Sequence, residues 1–322
     1  MLLSHRYENL QQLGEGGFGK TFLVQDTQNQ LHPKRVIKQL ALNNDNPAML
    51  EQFKTRFQQE ATVLERLGSG NHQIPTLYDY FQSQGQFYFV MEWIEGINLG
   101  EKVKQEGAFN ESMVKSILLN ILPILEYIHQ KKVIHRDIKP DNIIIRNSDN
   151  LPVLVDFGAV KEEIKTVLSS SIKSIQFTMH IGTPGFTSIE QMRGRPVYGS
   201  DLYSLGVTAI FLLTGLYPQE LEQDLETGEL KWRDRVGEIS SDFVAVLEKA
   251  TREDWRDRYR TAKEMRDALL AIDTPTVPLS KQESSSEKES QQQTVRINAP
   301  HLGHVTRDGN INGDISGNII NS

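Results

Sequence analysis

Two short apolar runs that enclose a turn constrain the folding of this chain most. Residues 143–145 are three isoleucines, residues 148–150 are Ser-Asp-Asn, and residues 153–155 are Val-Leu-Val. Apolar, β-branched runs joined by turn residues predict an antiparallel hairpin. Asn142 precedes the first strand and Asp156 follows the second, so we expect their side chains to meet at the mouth of this hairpin. An amide oxygen beside a carboxylate suits Mg²⁺, which favours oxygen ligands and substrate phosphates.

The composition is ordinary for a soluble globular protein and argues against several classes. The 322 residues are 38% hydrophobic and 24% charged, which allows one large domain or two, plus a tail. The formal net charge of -7 argues against a nucleic-acid partner, because dedicated nucleic-acid binders are more often basic. The absence of cysteine excludes a disulfide framework, a thiolate nucleophile and a Cys-based zinc site. The chain has no signal-peptide core and no run of about 18 apolar residues, so we expect a cytoplasmic protein without a membrane span.

The hydrophobic pattern divides the chain into regions. Residues 1–91 carry short strand-like runs around one helical segment, residues 47–67, in which apolar positions recur every three or four residues. Residues 273–293 begin with two prolines and are rich in Ser, Glu, Lys and Gln, a composition that predicts a disordered linker. A tail of different character follows, residues 294–322. Residues 92–272 are mostly helical, with apolar-periodic segments at 114–129, 201–213, 243–250 and 262–271.

A glycine cluster lies between two strand-like runs near the start of the chain. Residues 14–19 are Gly-Glu-Gly-Gly-Phe-Gly and match G-x-G-x-x-G, a pattern that also occurs in simple turns. A dinucleotide fingerprint would continue into a helix, whereas residues 21–24 are Thr-Phe-Leu-Val and predict a strand. Strand, glycines and strand predict a flap whose backbone N–H groups approach phosphates closely, because glycine has no Cβ.

Lys38 and Glu60 form a candidate ion pair. Lys38 ends a strand-like run, and it could be an ordinary surface lysine or a cation that binds phosphates. Glu60 lies on the apolar stripe of the helical segment, where a charge is costly unless it is paired. Pairing with Lys38 would satisfy both groups, although a glutamate at the edge of the stripe could instead extend toward solvent.

The most specific segment is residues 135–142, His-Arg-Asp-Ile-Lys-Pro-Asp-Asn, followed by Asp-Phe-Gly at residues 156–158. In these motifs, their order and their spacing, the chain resembles the eukaryotic-type serine/threonine protein kinases of bacteria, over about residues 7–272. The resemblance implies an α+β, two-lobed kinase fold. Residues 1–91 would form a small β-rich N-lobe with one main helix, and residues 92–272 a larger helical C-lobe with its hinge at about 92–97.

The resemblance also implies a role for each motif residue. Asp137 would accept the proton of the acceptor hydroxyl, Lys139 would approach the γ-phosphate, and Lys38 would contact phosphates while paired with Glu60. Asn142 and Asp156 would hold Mg²⁺, with Mn²⁺ as an alternative. ATP would contact the glycine flap, the cleft and the hinge, a set that comprises Gly14, Glu15, Gly16, Gly17, Phe18, Gly19, Thr21, Val36, Lys38, Met91, Glu92 and Ile94.

Lys139, together with Thr183, resembles the serine/threonine class, so the expected acceptors are protein Ser and Thr hydroxyls. Residues 166–178 contain several Ser and Thr residues and are interpreted either as a plain flexible loop or as an activation loop. In the second case a phosphorylated residue would bond to Arg136, order the loop and regulate activity.

Three further residues resemble structural supports of the family. Asp201 resembles the helix aspartate that braces the catalytic loop, although a carboxylate near a helix N-terminus is common in itself. Glu190 and Arg258 resemble a buried ion pair.

The tail repeats every four residues. Glycines at 309, 313 and 317 alternate with isoleucines at 311, 315 and 319, so a strand here would carry Gly and Ile on one face and polar residues on the other. The pattern is similar to short amyloid-signalling motifs and predicts homotypic or heterotypic β assembly through residues 306–322. A disordered tail and docking to a sheet edge are the alternatives.

The leading hypothesis is an active serine/threonine protein kinase. One alternative is a nucleotide-binding pseudokinase or scaffold that acts through its tail, which the presence of Lys38, Asp137 and Asp156 disfavours. A small-molecule kinase is the other, and it is disfavoured by residues 182–190, which resemble a platform for protein substrates.

Overall fold

The computed structural model describes residues 2–16, 19–40, 47–157, 185–224 and 226–272. Residues Met1–Pro275 form one compact unit. The predictions for Gly17, Phe18, Thr183, the activation segment, the linker and the tail lie outside the described residues.

The N-terminal part of the unit is an antiparallel sheet. Its six strands are arranged in the order β1-β2-β3-β4-β6-β5. Gly16 ends β2 and pairs with Gly19, which begins β3, so the two strands predicted on either side of the glycine cluster form a hairpin. The strands are β1 Leu2–Leu3, β2 Tyr7–Gly16, β3 Gly19–Asp26, β4 Lys34–Leu40, β5 Leu77–Ser83 and β6 Gln86–Glu92.

One long helix, α1 Pro47–Gly68, packs against this sheet. Its apolar stripe meets aromatic residues of β6: the Phe53 and Phe87 rings lie 4.7 Å apart, and the Phe57 and Phe89 rings 4.4 Å apart. Tilted and stacked aromatic pairs of this kind add to the free energy gained from burial. The three- and four-residue spacing read from the sequence therefore marks the face of α1 that is buried.

The C-terminal part of the unit is mostly helical, as predicted. Helix α3 begins where the Asn110 side chain accepts a hydrogen bond from the Met113 N–H at 2.9 Å, three residues before the predicted start. The helices are α2 Leu99–Glu106, α3 Glu111–Gln130, α4 Ile189–Met192, α5 Tyr198–Thr214, α6 Ser241–Ala250 and α7 Ala262–Ala271.

Helix α5 forms the centre of the C-terminal core. Its residues from 199 to 213 are buried except Tyr203, and it packs against α3 and α6. A helix that is apolar all round belongs inside a domain rather than on its surface. Among the helices of the described ranges, none combines the length and the apolar character that a membrane crossing requires.

Short strands in this part were missed by the sequence interpretation, apart from the isoleucine hairpin. Strand β7 Gly96–Asn98 adds to the predicted hairpin, which consists of β8 Ile143–Arg146 and β9 Pro152–Leu154. A separate hairpin joins β10 Glu222–Gln223 to β11 Leu230–Lys231. Runs of two or three residues are too short to show the alternation by which strands are recognised.

Candidate active site

The β8–β9 hairpin carries the first part of the site at its mouth. Ile143 pairs with Leu154, and the next rung is a hydrogen bond from the Val155 N–H to the Asn142 carbonyl at 2.9 Å. Asp156 is the next residue and has a left-handed backbone conformation, with φ of 61°. The hairpin therefore brings the Asn142 and Asp156 backbones together as the sequence indicated, and their role as metal ligands stays a prediction.

Lys38 joins the N-terminal sheet to this hairpin. Its ammonium group, on β4, forms an ion pair with the Asp156 carboxylate, and both side chains are largely shielded from solvent. The predicted partner, Glu60 on α1, lines the same pocket as Lys38 and Asp156. Pairing between Lys38 and Glu60 thus stays a prediction, while the ion pair that the structure describes for Lys38 is the one with Asp156.

The pocket between the sheet and the hairpin is lined mainly by apolar side chains. Met91, one of the residues predicted to contact ATP, forms part of its wall together with Phe157. The remaining lining residues are Leu64, Pro75, Leu77 and Phe89. The ionisable side chains of Lys38, Glu60 and Asp156 therefore line a cavity whose other lining residues are apolar.

The strand register shows which residues share the cleft face of the sheet. Thr21 lies opposite Lys38 and Val36 lies opposite Met91, and directly opposed residues point to the same side. Ile37, between Val36 and Lys38, points to the other face and packs in a separate apolar cluster. Thr21, Val36, Lys38 and Met91 thus occupy one face, as contacts with a single bound molecule would require.

The residues predicted to form the hinge come directly after Met91 in the chain. The Glu92 carboxylate accepts a hydrogen bond from the Thr76 N–H at 3.2 Å, and Ile94 is buried. Their predicted contacts with adenine stay predictions.

The glycine flap has one position that requires glycine and one that does not. Gly19 has φ of +140°, and a Cβ built on it would lie 1.8 Å from the Gln39 carbonyl oxygen, whereas a Cβ on Gly14 would meet nothing within 4 Å. Glu15 pairs across the flap with Lys20 at 3.3 Å and accepts a hydrogen bond from Gln12. These hydrogen bonds lower the pKa of Glu15. Its carboxylate is thus engaged within the flap, and its predicted contact with ATP stays a prediction.

Asp137 is buried, and neighbouring side chains hold both its backbone and its carboxylate. The Asn142 amide nitrogen donates to the Asp137 carbonyl at 2.7 Å and to its Oδ2 at 2.9 Å. The Lys139 ammonium lies 3.8 Å from the same carboxylate oxygen. Because Nδ2 of Asn142 is used in these bonds, Oδ1 is the atom that remains to bind a cation.

His135 connects Asp137 to the hairpin. Its Nδ1 accepts a hydrogen bond from the Asp137 N–H at 3.3 Å, and its Nε2 lies 3.2 Å from the Val155 carbonyl oxygen. A carbonyl can only accept, so the neutral tautomer with a proton on Nε2 satisfies both partners. The ring also packs on Phe157, with centroids 4.5 Å apart.

Asp201 on α5 braces the backbone that precedes Asp137, as predicted. Its two oxygens accept from the His135 and Arg136 N–H groups, each at 2.9 Å. Burial by itself would raise the pKa of Asp201, but the hydrogen bonds from His129 and from the Arg136 N–H lower the pKa overall. His129 Nε2 lies 2.8 Å from Oδ2 of Asp201. His129 thus contacts the carboxylate that braces the loop, a contact that its position in the sequence did not indicate.

The predicted ion pair between Glu190 and Arg258 is also confirmed. The two groups form a bidentate contact with N–O distances of 2.8 and 3.2 Å, and the Ser200 hydroxyl donates to Glu190 at 2.6 Å. Burial would raise the pKa of Glu190, but the hydrogen bonds from Arg258 and Ser200 lower it overall. The pair fixes α4 to the C-terminal core.

One contact of α4 was missed. The Gln191 side-chain amide donates to the Arg136 carbonyl at 2.6 Å. No local signal distinguishes this glutamine from a surface one, because its partner lies 55 residues away in the chain.

A sheet-rich lobe and a helical lobe that together surround a lysine, an aspartate pair and an asparagine define the class of phosphotransferases with a kinase fold. The sequence profile of the protein kinase domain family matches residues 7–278, and the chain belongs to this family.

Among curated relatives, the chain is 50% identical over 287 residues to the serine/threonine-protein kinase PknA of Nostoc sp., an alignment that covers 88% of this chain and 51% of the relative. It is 46% identical over 280 residues to serine/threonine-protein kinase C of Synechocystis sp., with 87% and 52% covered. The chain thus spans about half the length of these curated relatives. Among solved structures, the PknI kinase domain of Mycobacterium tuberculosis matches with a TM-score of 0.60 and 25% identity, covering 82% of this chain and 95% of that one.

Proposed function

We propose that this chain is a serine/threonine protein kinase that transfers the γ-phosphoryl group of ATP to Ser and Thr hydroxyls of proteins. The observation that carries the proposal is a pair of contacts at one cleft. Asn142 donates to Asp137 within the helical lobe, and Lys38 of the sheet binds Asp156 of the hairpin. The relatives described above are named as serine/threonine kinases, which supports the acceptor class.

The donor set fits a hard divalent cation. Asn142 Oδ1 and the Asp156 carboxylate are oxygen ligands, and Mg²⁺ typically takes one or two protein ligands together with phosphate oxygens and water. We infer that Asn142 and Asp156 hold Mg²⁺, which Mn²⁺ could replace. When bound, the cation neutralises phosphate charge.

The residues of the chain supply the remaining steps. Asp137, held by Asn142, receives the proton of the acceptor hydroxyl as that oxygen bonds to the γ-phosphorus. The bond between the γ-phosphorus and the bridging oxygen breaks, and ADP leaves with the electron pair. Lys38 and Lys139 stabilise negative charge on the phosphates, and the glycine flap excludes water.

The first test is phosphoryl transfer by the whole chain and by Asp137→Asn. Incubation with labelled ATP, Mg²⁺ and a generic protein substrate should label the substrate, and the variant should lose most of this activity because Asn cannot accept the proton. Asp242→Asn, an exposed aspartate on α6, serves as the matched control and should behave as the wild type. Equal labelling by Asp137→Asn and the wild type would contradict the proposal.

Regulation by phosphorylation is part of the proposal. Residues 166–178 contain hydroxyl side chains, and Arg136, next to Asp137, could bind a phosphate there through charge-assisted hydrogen bonds. We expect autophosphorylation within these residues. Mass spectrometry of active protein would reveal it, and protein that is active while this segment carries no phosphate would exclude this mode of regulation.

For the tail we propose β assembly between copies, or with a partner of similar pattern, through residues 306–322. The four-residue alternation of Gly, Ile and polar residues supports in-register stacking. A synthetic peptide of residues 306–322 should form fibres with a cross-β spacing, and a scrambled peptide of equal composition should not. A peptide that stays monomeric would count against the idea.

We also propose that the catalytic domain acts in the cytoplasm, because its substrate ATP is supplied there.

A further inference from the structure

The peptide groups on either side of Arg136 are held in an unusual geometry just before the proposed catalytic base. Arg136 has φ of 68°, the left-handed region that residues with a side chain rarely adopt. A backbone in this region persists only where its surroundings specify it. The Arg136 N–H donates to Asp201 at 2.9 Å, which fixes the first peptide group.

The second peptide group, between Arg136 and Asp137, is held by two different side chains. Its carbonyl accepts a hydrogen bond of 2.6 Å from the Gln191 amide, and its N–H donates to His135 Nδ1 at 3.3 Å. Because a carbonyl only accepts, the atom of Gln191 that faces it is the amide nitrogen. With both ends bound, the peptide plane cannot rotate without breaking a hydrogen bond.

Gln191 is itself held on a fixed element. It is 2% exposed, and its neighbour Glu190 anchors α4 through the buried pair with Arg258. Within the described part of the chain, the Gln191 Oε1 is buried and has no hydrogen-bond partner. The side chain thus makes a single strong polar contact, and that contact is with the backbone next to Asp137.

We propose that Gln191 is a positioning residue for phosphoryl transfer: its amide holds the Arg136 carbonyl and so sets the direction in which Asp137 points. This inference rests on the proposed function of Asp137. Asn142 holds the carboxylate and the carbonyl of Asp137, and Gln191 holds the peptide group that precedes this residue. A shift of about 1 Å at a catalytic group can lower the rate by about 100-fold.

Two substitutions separate positioning from mere packing. Gln191→Met keeps the length of the side chain and removes the donor. Gln191→Glu keeps the shape and donates only when protonated, and burial beside a carbonyl raises the pKa of a carboxyl group. The exposed Gln105 on α2 provides the matched control Gln105→Met.

Steady-state kinetics of the full chain give the first readout. We expect Gln191→Met to lower kcat by about 10- to 100-fold while KM for ATP stays within about twofold. In Gln191→Glu the kcat relative to wild type should rise as the pH falls from 8 to 6, because the protonated carboxyl group regains the hydrogen bond. The same ratio for Gln191→Met should not change with pH. A wild-type kcat in Gln191→Met would overturn the inference.

Amide hydrogen exchange gives a readout that does not depend on activity. Loss of the Gln191 contact should speed exchange of the Asp137 amide by about five- to tenfold, with no change in α3 or α5. Unchanged exchange at Asp137 in Gln191→Met would also overturn the inference. An inactive wild type with this local change in the variant would instead reject the proposed function and leave the positioning contact supported. If Gln191→Met does not fold, the Gln191→Glu variant provides the same comparison in one protein, at pH values below and above the pKa of the introduced carboxyl group.

Discussion

At the scale of single residues, the geometry of the site depends on buried hydrogen bonds between side chains and the backbone. Asp201 illustrates this, because one carboxylate accepts hydrogen bonds from two consecutive backbone N–H groups and contacts His129 as well. An unsatisfied buried donor costs more free energy than a hydrogen bond normally contributes. The carboxylate is therefore needed in its ionised form, with both oxygens available.

Asp201→Asn should show this dependence. One of its two positions becomes an N–H₂ group that faces a backbone donor, so we expect lower kcat and a free energy of unfolding reduced by about 2–4 kcal/mol. Chemical denaturation at pH 7 measures the latter, and Asp242→Asn serves as the exposed control. A variant as stable as the wild type would show that the brace contributes little.

The acid dependence follows from the pKa of Asp201, which is lower in the folded protein than in the unfolded chain. The stability that this group contributes is present above its unfolded pKa of about 4 and is lost as the pH falls through the folded value. Asp201→Asn should remove this part of the acid sensitivity. Unfolding curves collected between pH 3 and 7 for both proteins would test the difference.

At the scale of elements, local sequence predicted some structures well and others not at all. The isoleucine hairpin carries two apolar runs around a turn and α1 carries a helical repeat of apolar residues, and both form as expected. The β10–β11 hairpin has strands of two residues, which leave no pattern. Gln191 and His129 could not be assigned roles, because their contacts depend on how distant helices pack. For Lys38 the sequence indicated the chemistry and proposed Glu60 as its partner, whereas the ion pair described for it is with Asp156.

The flap offers an element-scale prediction with an internal control. Gly19→Ala must place a Cβ against the Gln39 carbonyl oxygen of β4 at a positive φ, so we expect β3 and β4 to separate locally and KM for ATP to rise by about tenfold or more. Gly14→Ala meets no neighbouring atom and should change KM for ATP by less than about twofold. Equal effects of the two substitutions on KM would contradict the geometry of the flap.

At the scale of the whole molecule, the contact between Lys38 and Asp156 links a strand of the sheet-rich lobe to the hairpin of the helical lobe. Both residues are also proposed to bind the nucleotide and its cation. Binding would therefore replace one connection between the lobes with several, and a ligand that binds only the folded state raises its stability by mass action.

Thermal unfolding measures this linkage. ATP with Mg²⁺ should raise the Tm of the wild type, by an amount equivalent to about 2.7 kcal/mol at 100-fold excess over Kd. Asp156→Asn should lose the part of the shift that depends on Mg²⁺, and ATP with a chelator gives the reference for each protein. An identical Mg²⁺-dependent shift in the variant would remove Asp156 from the proposed cation site.

Helices α3, α4 and α5 converge on the peptide groups that precede Asp137, and this convergence has a consequence for how the enzyme loses activity. His129, Gln191 and Asp201 come from three separate helices, and all of them act on the few atoms that precede Asp137. A core substitution that displaces any of these helices by a fraction of an ångström will disturb that shared junction while most apolar contacts survive. Turnover should therefore decline at temperatures below the onset of cooperative unfolding. The catalytic rate would then report small changes in helix packing that circular dichroism or a melting curve does not detect.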